Sequence, residues 1–164
     1  MKTIEAAVEA DWTQIWRILE PVFRAAETYP FPPGISEADA RVAWMKVPQA
    51  TYVARDAAGS VVGTYYLKPN QPGLGSHVCN CGYVVAEGAR GQGVASRMCE
   101  HSQREAARLG FRAMQFNLVV STNEKAVRLW KRLGFEIVGT LPAAFHHPRR
   151  GFVDAFVMYK PLGA

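Results

Sequence analysis

The chain contains no run of about 18 apolar residues, so no segment reads as a membrane-spanning helix. Its opening residues, Met1-Lys2-Thr3-Ile4-Glu5, lack the apolar stretch and cleavage site of a secretory leader. A soluble, cytoplasmic protein is the expectation. Cysteine is scarce, with three residues at 79, 81 and 99. Cys79 and Cys81 stand two apart in an apparent strand and so point to one face, where they cannot easily bridge. An odd count without ligand spacing reads as reduced, buried thiols and offers no metal site. Acidic residues are outnumbered, 14 to 19, giving a net charge of +5. The basic residues are nevertheless scattered, so a nucleic-acid surface is not favoured and a polyanionic small molecule fits as well.

What is present suffices for one folded unit. With 164 residues, 49% of them hydrophobic, the chain is expected to form a single domain over 1–164. A short strand around Thr3 to Val8 comes first. Asp11 is expected to cap a helix with Ile15, Ile18, Leu19, Val22 and Phe23 on its apolar face, ending near Glu27. The prolines of Tyr29-Pro30-Phe31-Pro32-Pro33-Gly34 exclude helix, and Ser36 with Asp39 suggests the cap of a second one. Thr51 to Arg55 and Val61 to Leu67 read as a hairpin about Asp56-Ala57-Ala58-Gly59-Ser60. His77 to Val85 is a strand, followed by a glycine-rich turn and a helix from Val94 to Leu109 stopped by Gly110. Arg112 to Val119 is a strand and Asn123 to Leu133 a helix ended by Gly134. Phe135 to Leu141 and Phe152 to Lys160 close the fold as strands. The order is mixed α/β.

The turn Arg90-Gly91-Gln92-Gly93-Val94-Ala95 carries the chemistry. A glycine-dense loop running into a helix exposes backbone N–H groups that have no helical acceptor, and the helix dipole adds positive character there. Such a place binds phosphate. Glycine at 91 and 93 removes the Cβ atoms that would hold a pyrophosphate away, Ala95 keeps the first helical turn slim, and Arg90 adds a full charge. A Walker loop would need Gly-Lys-Ser/Thr, which is absent. A dinucleotide fingerprint would need a third glycine where Ser96 stands, and an acidic residue after the next strand, where Asn117-Leu118-Val119-Val120 has none. A merely structural glycine turn remains the alternative.

The run from Val85 to Ala95 resembles the acetyl-CoA motif of the GCN5-related N-acetyltransferase (GNAT) superfamily, Arg/Gln-x-x-Gly-x-Gly/Ala after a strand. Asn123-Glu124-Lys125-Ala126-Val127-Arg128-Leu129-Trp130-Lys131-Arg132-Leu133-Gly134-Phe135 resembles its second cofactor motif. The resemblance covers essentially the whole chain. It implies a central mixed, mostly antiparallel sheet splayed between strands 4 and 5 and flanked by about four helices. It also implies that acetyl-CoA, with no metal, lies in the splay, its arm paired with the main chain of Val84 and Val85. Arg90, Gly91, Gln92, Gly93, Val94 and Ala95 would hold the pyrophosphate, and Asn123 would be a further contact or a plain helix cap.

Two departures shape the chemistry. Many members place a tyrosine proton donor where this chain has Trp130, whose indole is not a usable acid near neutral pH. Many place a carboxylate base on the fourth strand, yet His77 to Val85 contains no Asp or Glu. Asn80 and Asn117, unfavourable inside strands, lie on the two strands that should splay. They are the candidate catalytic pair, expected to hold the acceptor amine or a relaying water; buried amides satisfying strand backbone are the alternative. His146, His147 and Glu27 are weaker candidates for a base.

By the same resemblance, the acceptor pocket falls to the loops holding Tyr29 and Phe31 and, in 142–148, Phe145 and His146. Rigid, aromatic walls nearly free of acids suit a small amine or amino-acid-like acceptor better than a polycationic tail. The stretch from Phe116 to Tyr159, with Asn80, also looks like the subgroup of fungal proline-analogue acetyltransferases. The competing readings are a non-catalytic acyl-CoA-binding regulatory module, an acetyltransferase of a protein amine, and, third, a nucleic-acid-binding domain. A homodimer is the assembly considered, with no nucleic-acid or membrane partner expected.

Overall fold

A computed structural model describes residues 3–163; Met1, Lys2 and Ala164, the ends of the expected domain, lie outside the described residues. Seven strands form one sheet in the order β1-β2-β3-β4-β5-β7-β6. They are β1 Thr3–Ala6, β2 Ala50–Arg55, β3 Val61–Pro69, β4 Val78–Val85, β5 Ala113–Val120, β6 Glu136–His147 and β7 Gly151–Pro161. The helices are α1 Trp12–Ala25, α2 Glu37–Arg41 continued by a wider turn over Val42–Lys46, α3 Val94–Arg108 and α4 Glu124–Arg132. All strand pairs are antiparallel except β4 with β5. The expected splayed, mixed sheet with flanking helices is the observed one.

Each sheet face has its own core. Alternation along β4 sends Cys79 and Cys81 to one side, where they pack with Met98, Cys99, Phe116 and Trp130 under α3 and α4. Val84 goes to the other side, with Phe23, Trp44 and Tyr66 under α1 and α2. The three cysteines are free and buried.

One expected cap and one expected turn are in place. The Ser36 hydroxyl accepts from the Asp39 N–H at 3.1 Å, and the Asp56 carboxylate accepts from Ala58 and Ser60 N–H at 2.9 and 3.0 Å in the β2–β3 turn. Two expectations fail. Asp11 makes no side-chain cap for α1. Its carboxylate instead accepts from the Val8 N–H at 3.0 Å and pairs with Arg55 at 2.6 Å, closing a short turn before the helix. The segment 142–148, expected as a loop, belongs to β6 as far as His147. Pro142 is tolerated there because it lies on the edge strand, in a stretch of β6 not paired with β7, so its missing N–H breaks no ladder bond. The ladder shifts between Leu141 and Phe145, with Ala143 at φ 51°.

Candidate functional site

Strand β4 organises the site, and its hydrogen-bond parity can be fixed from both ends. The Asn70 N–H donates to the Val78 carbonyl at 2.8 Å and the Ala86 N–H to the Val62 carbonyl at 2.9 Å. By antiparallel alternation the main-chain groups of Asn80, Gly82 and Val84 therefore face β3. Those of Cys79, Cys81, Tyr83 and Val85 face β5. β5 stays alongside only from Val78–Ala113 to Asn80–Gln115. Beyond that rung the N–H groups of Tyr83 and Val85 look into a gap. Of the two valines expected to offer main-chain groups, Val85 presents them to the gap, while Val84 is turned to β3.

The strands part at a polar chain. The Asn80 side-chain amide donates to the Gln115 carbonyl at 3.0 Å, and its oxygen accepts from the Tyr66 hydroxyl at 3.1 Å. The Gln115 side chain donates to the Asn117 oxygen at 2.9 Å, and Asn117 donates to Asn70 at 2.7 Å. Asn80 and Asn117 thus sit on the same face of the sheet, one on each strand flanking the gap, joined through Gln115 rather than to each other. Asn80 is buried, at 7% exposure, and Asn117 is open to solvent. Asn117 and Leu118 form a bulge between the rungs Phe116–Met158 and Val119–Phe156, which turns β5 away from β4. Sequence reading missed Gln115 and Asn70; the i, i+2 spacing of Gln115 and Asn117 on one strand face was the available signal.

An aromatic wall rises over the gap from the α1–α2 loop. Tyr29 stacks on Phe31 with centroids 6.1 Å apart and packs against Phe23 and Trp44 at 5.6 and 5.8 Å. Its hydroxyl donates to the Tyr83 carbonyl at 3.0 Å. Burial raises the Tyr29 phenol well above its ordinary value, so it stays protonated. Gly82 makes room: a Cβ there would lie 2.7 Å from the Tyr66 ring and 2.9 Å from the Tyr29 oxygen. The Lys68 ammonium lies 5.3 Å from the Tyr66 ring centroid, opposite Asn80 in the register.

On the other face of the sheet Trp130 is buried against Tyr83 and Phe116, at 5.0 and 5.2 Å between centroids. It fills space and brings no acid. On β6, Phe145 and His147 are buried while His146 lies on the exposed side, stacked on Phe152 at 4.6 Å. The two residues expected together in one pocket, Phe145 and His146, therefore point to opposite sides. The hairpin tip is held by the Arg149 N–H donating to His147 Nδ1 at 3.2 Å, and the Arg149 guanidinium pairs with Glu27 at the end of α1. That ion pair joins the two segments expected to wall the acceptor.

The glycine turn has the geometry of an anion cradle. Gly91 and Gly93 adopt φ of 74° and 75°, where side chains are disfavoured, and a Cβ on either would meet nothing within 4 Å. The space above the turn is open. Gly93 precedes α3, which has no side-chain cap, so the N–H groups of Val94, Ala95 and Ser96 lead out of the helix. Gln92 donates to the Gly88 carbonyl at 2.9 Å, closing the turn on itself. A depression of about 330 Å³ lined by Asp56, Val62, Ala86, Gly88, Ala89 and Gln92 lies beside it. Arg90 is exposed next to it. Asn123 starts α4 without a side-chain cap bond and lines a second depression with Lys125, Arg128 and Arg150.

Among the described residues no group of three or more His, Cys, Asp or Glu side chains could hold a metal ion. No helix among the described residues is long and apolar enough to cross a membrane. Burial pushes the Cys79 thiol up to about 12 and Cys99 to about 11, so neither supplies a thiolate near neutral pH.

Residues 12–135 match the acetyltransferase (GNAT) family. A GCN5-related N-acetyltransferase from Kribbella flavida shares 44% identity and superposes with a TM-score of 0.93 over 98% of both chains. A phosphinothricin acetyltransferase from Sinorhizobium meliloti, solved in complex with AcCoA, is 25% identical, with a TM-score of 0.85 over 99% of this chain and 89% of that one. The N-acetyltransferase aca1 of Schizosaccharomyces pombe is 37% identical over 111 residues, 67% of this chain. The present chain spans about half that relative's length, 53%.

Proposed function

Because the chain belongs to the acetyltransferase (GNAT) family, we propose that it transfers an acetyl group from acetyl-CoA to a small amine or amino-acid-like acceptor, by direct attack of the amine on the thioester. The carrying observation is the open edge of β4 beyond Asn80–Gln115, with the glycine cradle at its end and an aromatic wall above it. Acetyl-CoA supplies the activated acyl group. The N–H groups of Val94 and Ala95, the space left by Gly91 and Gly93, and the Arg90 charge suit its pyrophosphate. The gap-facing peptide groups of Tyr83 and Val85 suit an extended arm and a polarised carbonyl. Gln92 closes the cradle, Asn123 lies at the start of the neighbouring helix, and Val84 contributes by anchoring β4 to β3.

Direct attack is supported by the buried thiols, which exclude an easy acyl-cysteine. The acceptor amine must lose a proton, and no carboxylate stands on β4. Asn80 and Asn117 line the acceptor side of the gap and can orient the amine or a water that carries its proton away. Tyr29 and Phe31 form the wall. Phe145, on the buried side of β6, belongs to the second wall, with His146 on that strand's outer side. Walls this rigid, with Lys68 beside Tyr66, suit a compact acceptor.

Free-thiol release from acetyl-CoA with a panel of small amines and amino acids tests the reading. Turnover on one of them is expected. CoA binding without turnover on any acceptor would instead mark a regulatory acyl-CoA-binding module, the reading favoured by Trp130 standing where a hydroxyl donor would. Asn80→Ala and Asn117→Ala are each expected to lower kcat/KM by about tenfold or more. Near-normal kcat/KM in both removes them from the mechanism.

A further inference from the structure

The aromatic box over the gap is tied to the sheet by three polar bonds. The Trp44 indole N–H donates to the Thr64 hydroxyl on β3 at 3.0 Å, and the Tyr66 hydroxyl donates to Asn80 at 3.1 Å. The Tyr29 hydroxyl donates to the Tyr83 carbonyl at 3.0 Å. Only the last of these reaches a main-chain group that the β4 register turns into the gap. Phe31 lies parallel to Tyr29, with 6° between ring planes, so its position follows that of Tyr29. A side chain at 82 would occupy the place of the hydroxyl, and the sequence has glycine there. No packing argument demands the phenol oxygen, because the ring contacts with Phe23, Phe31 and Trp44 would survive its removal.

We propose that Tyr29 is a positioning residue for acetyl transfer: by bonding the Tyr83 carbonyl it sets the height of the acceptor wall over the peptide groups of β4 that receive the cofactor arm. This rests on the reading that the open edge of β4 receives acetyl-CoA. The bond approaches the carbonyl from the Gly82 side of the sheet, whereas an added strand approaches in the sheet plane, so a carbonyl with two lone pairs serves both. Amine and thioester are thereby referred to one peptide unit. A misplacement of about 1 Å between reacting groups costs on the order of a hundredfold in rate, so loss of this tie falls on turnover rather than on cofactor binding.

The test uses the whole chain, with CoA affinity measured by titration calorimetry beside steady-state kinetics. Tyr29→Phe keeps the ring and is expected to bind CoA within about twofold of wild type while kcat/KM for the acceptor falls about 10- to 100-fold. Gly82→Ala, whose methyl would press on both the Tyr29 oxygen and the Tyr66 ring, is expected to show at least that split. Combining the two is expected to be no worse than Gly82→Ala alone, since that change already displaces the hydroxyl that Tyr29→Phe removes. If phenylalanine at 29 unfolds the chain, Gly82→Ala is compared with Tyr66→Phe, which removes only the Tyr66–Asn80 bond; a fall in kcat/KM no larger than in that control overturns the proposal. Wild-type kcat/KM in Tyr29→Phe overturns the proposal. So does a loss of CoA affinity in step with turnover, or full additivity in the double variant. Wild-type protein that binds no CoA overturns the underlying cofactor reading as well, and that measurement comes first.

Discussion

Trp130, which the motif resemblance sets where a tyrosine hydroxyl is expected, has its ring spent on Tyr83 and Phe116. Its burial explains why the bulk is kept; it also leaves the other face, with Tyr29, as the side of the gap on which a buried phenol meets β4. Away from the gap, His101 on α3 shares a 2.7 Å hydrogen bond between its Nδ1 and the Tyr65 hydroxyl. Burial lowers its pKa from 6.5, with the Glu105 carboxylate opposing and Arg104 assisting. A histidine depressed in the folded state is neutral there while the unfolded chain takes up a proton. Its contribution is intact above about 6.5 and is lost as pH falls through the lower folded value. The denaturation midpoint is therefore expected to fall between about pH 7.5 and 5.5, and the slope to flatten in His101→Asn. Glu105 and Glu9, both depressed from 4.5, act only in a more acid range. An unchanged slope in His101→Asn would assign the effect elsewhere.

At the scale of elements, the turn from Arg90 to Ala95 was legible because its chemistry is local: two glycines and a helix start suffice. Gly93→Ala separates the two things glycine does there. No protein atom lies within 4 Å of an added Cβ, so the folded chain bears only the left-handed backbone cost, on the order of 1–2 kcal/mol. A phosphate approaching the same N–H groups would meet the methyl directly. CoA affinity is expected to drop by about tenfold or more, with a modest fall in melting temperature. Unchanged affinity would move the pyrophosphate off the turn. Other elements were legible only in part. Residues 142–148 read as a loop, but edge position lets β6 run through Pro142, which no local pattern reveals. Asp11 has the chemistry of a cap, yet a long-range partner, Arg55, claims its carboxylate. Asn80 and Asn117 stood out as amides in strands, whereas their link through Gln115 depends on the parallel β4–β5 register, set by residues far apart in sequence.

For the whole molecule, the pair Glu27–Arg149 connects elements on opposite sides of the gap. Both partners retain solvent contact, with 33% and 75% of their side-chain surfaces exposed, so the pair contributes about 1 kcal/mol or less to stability and is weakened by salt. On the proposed reading its effect falls on acceptor binding. Arg149→Ala is expected to raise the acceptor KM severalfold while leaving the acetyl-CoA KM and melting temperature near wild type. It is also expected to abolish most of the salt dependence of the acceptor KM. An acceptor KM that is unmoved, with its salt dependence intact, would show that the pair is only a surface contact.

The short parallel ladder between β4 and β5 also has a mechanical meaning. β1 to β4 form one half-sheet and β5, β7 and β6 another, and the ladder joins them only between Val78–Ala113 and Asn80–Gln115. That ladder is a seam, and the Asn80 amide reaching to the Gln115 carbonyl is the last stitch beside it. Beyond the stitch the halves are braced on one face, where Trp130 packs on Tyr83 of β4 and on Phe116 of β5. The unpaired stretch of β4 is therefore kept apart from β5 by packing beneath it, so an extended ligand would meet a preformed slot and neither half need unfold to admit it.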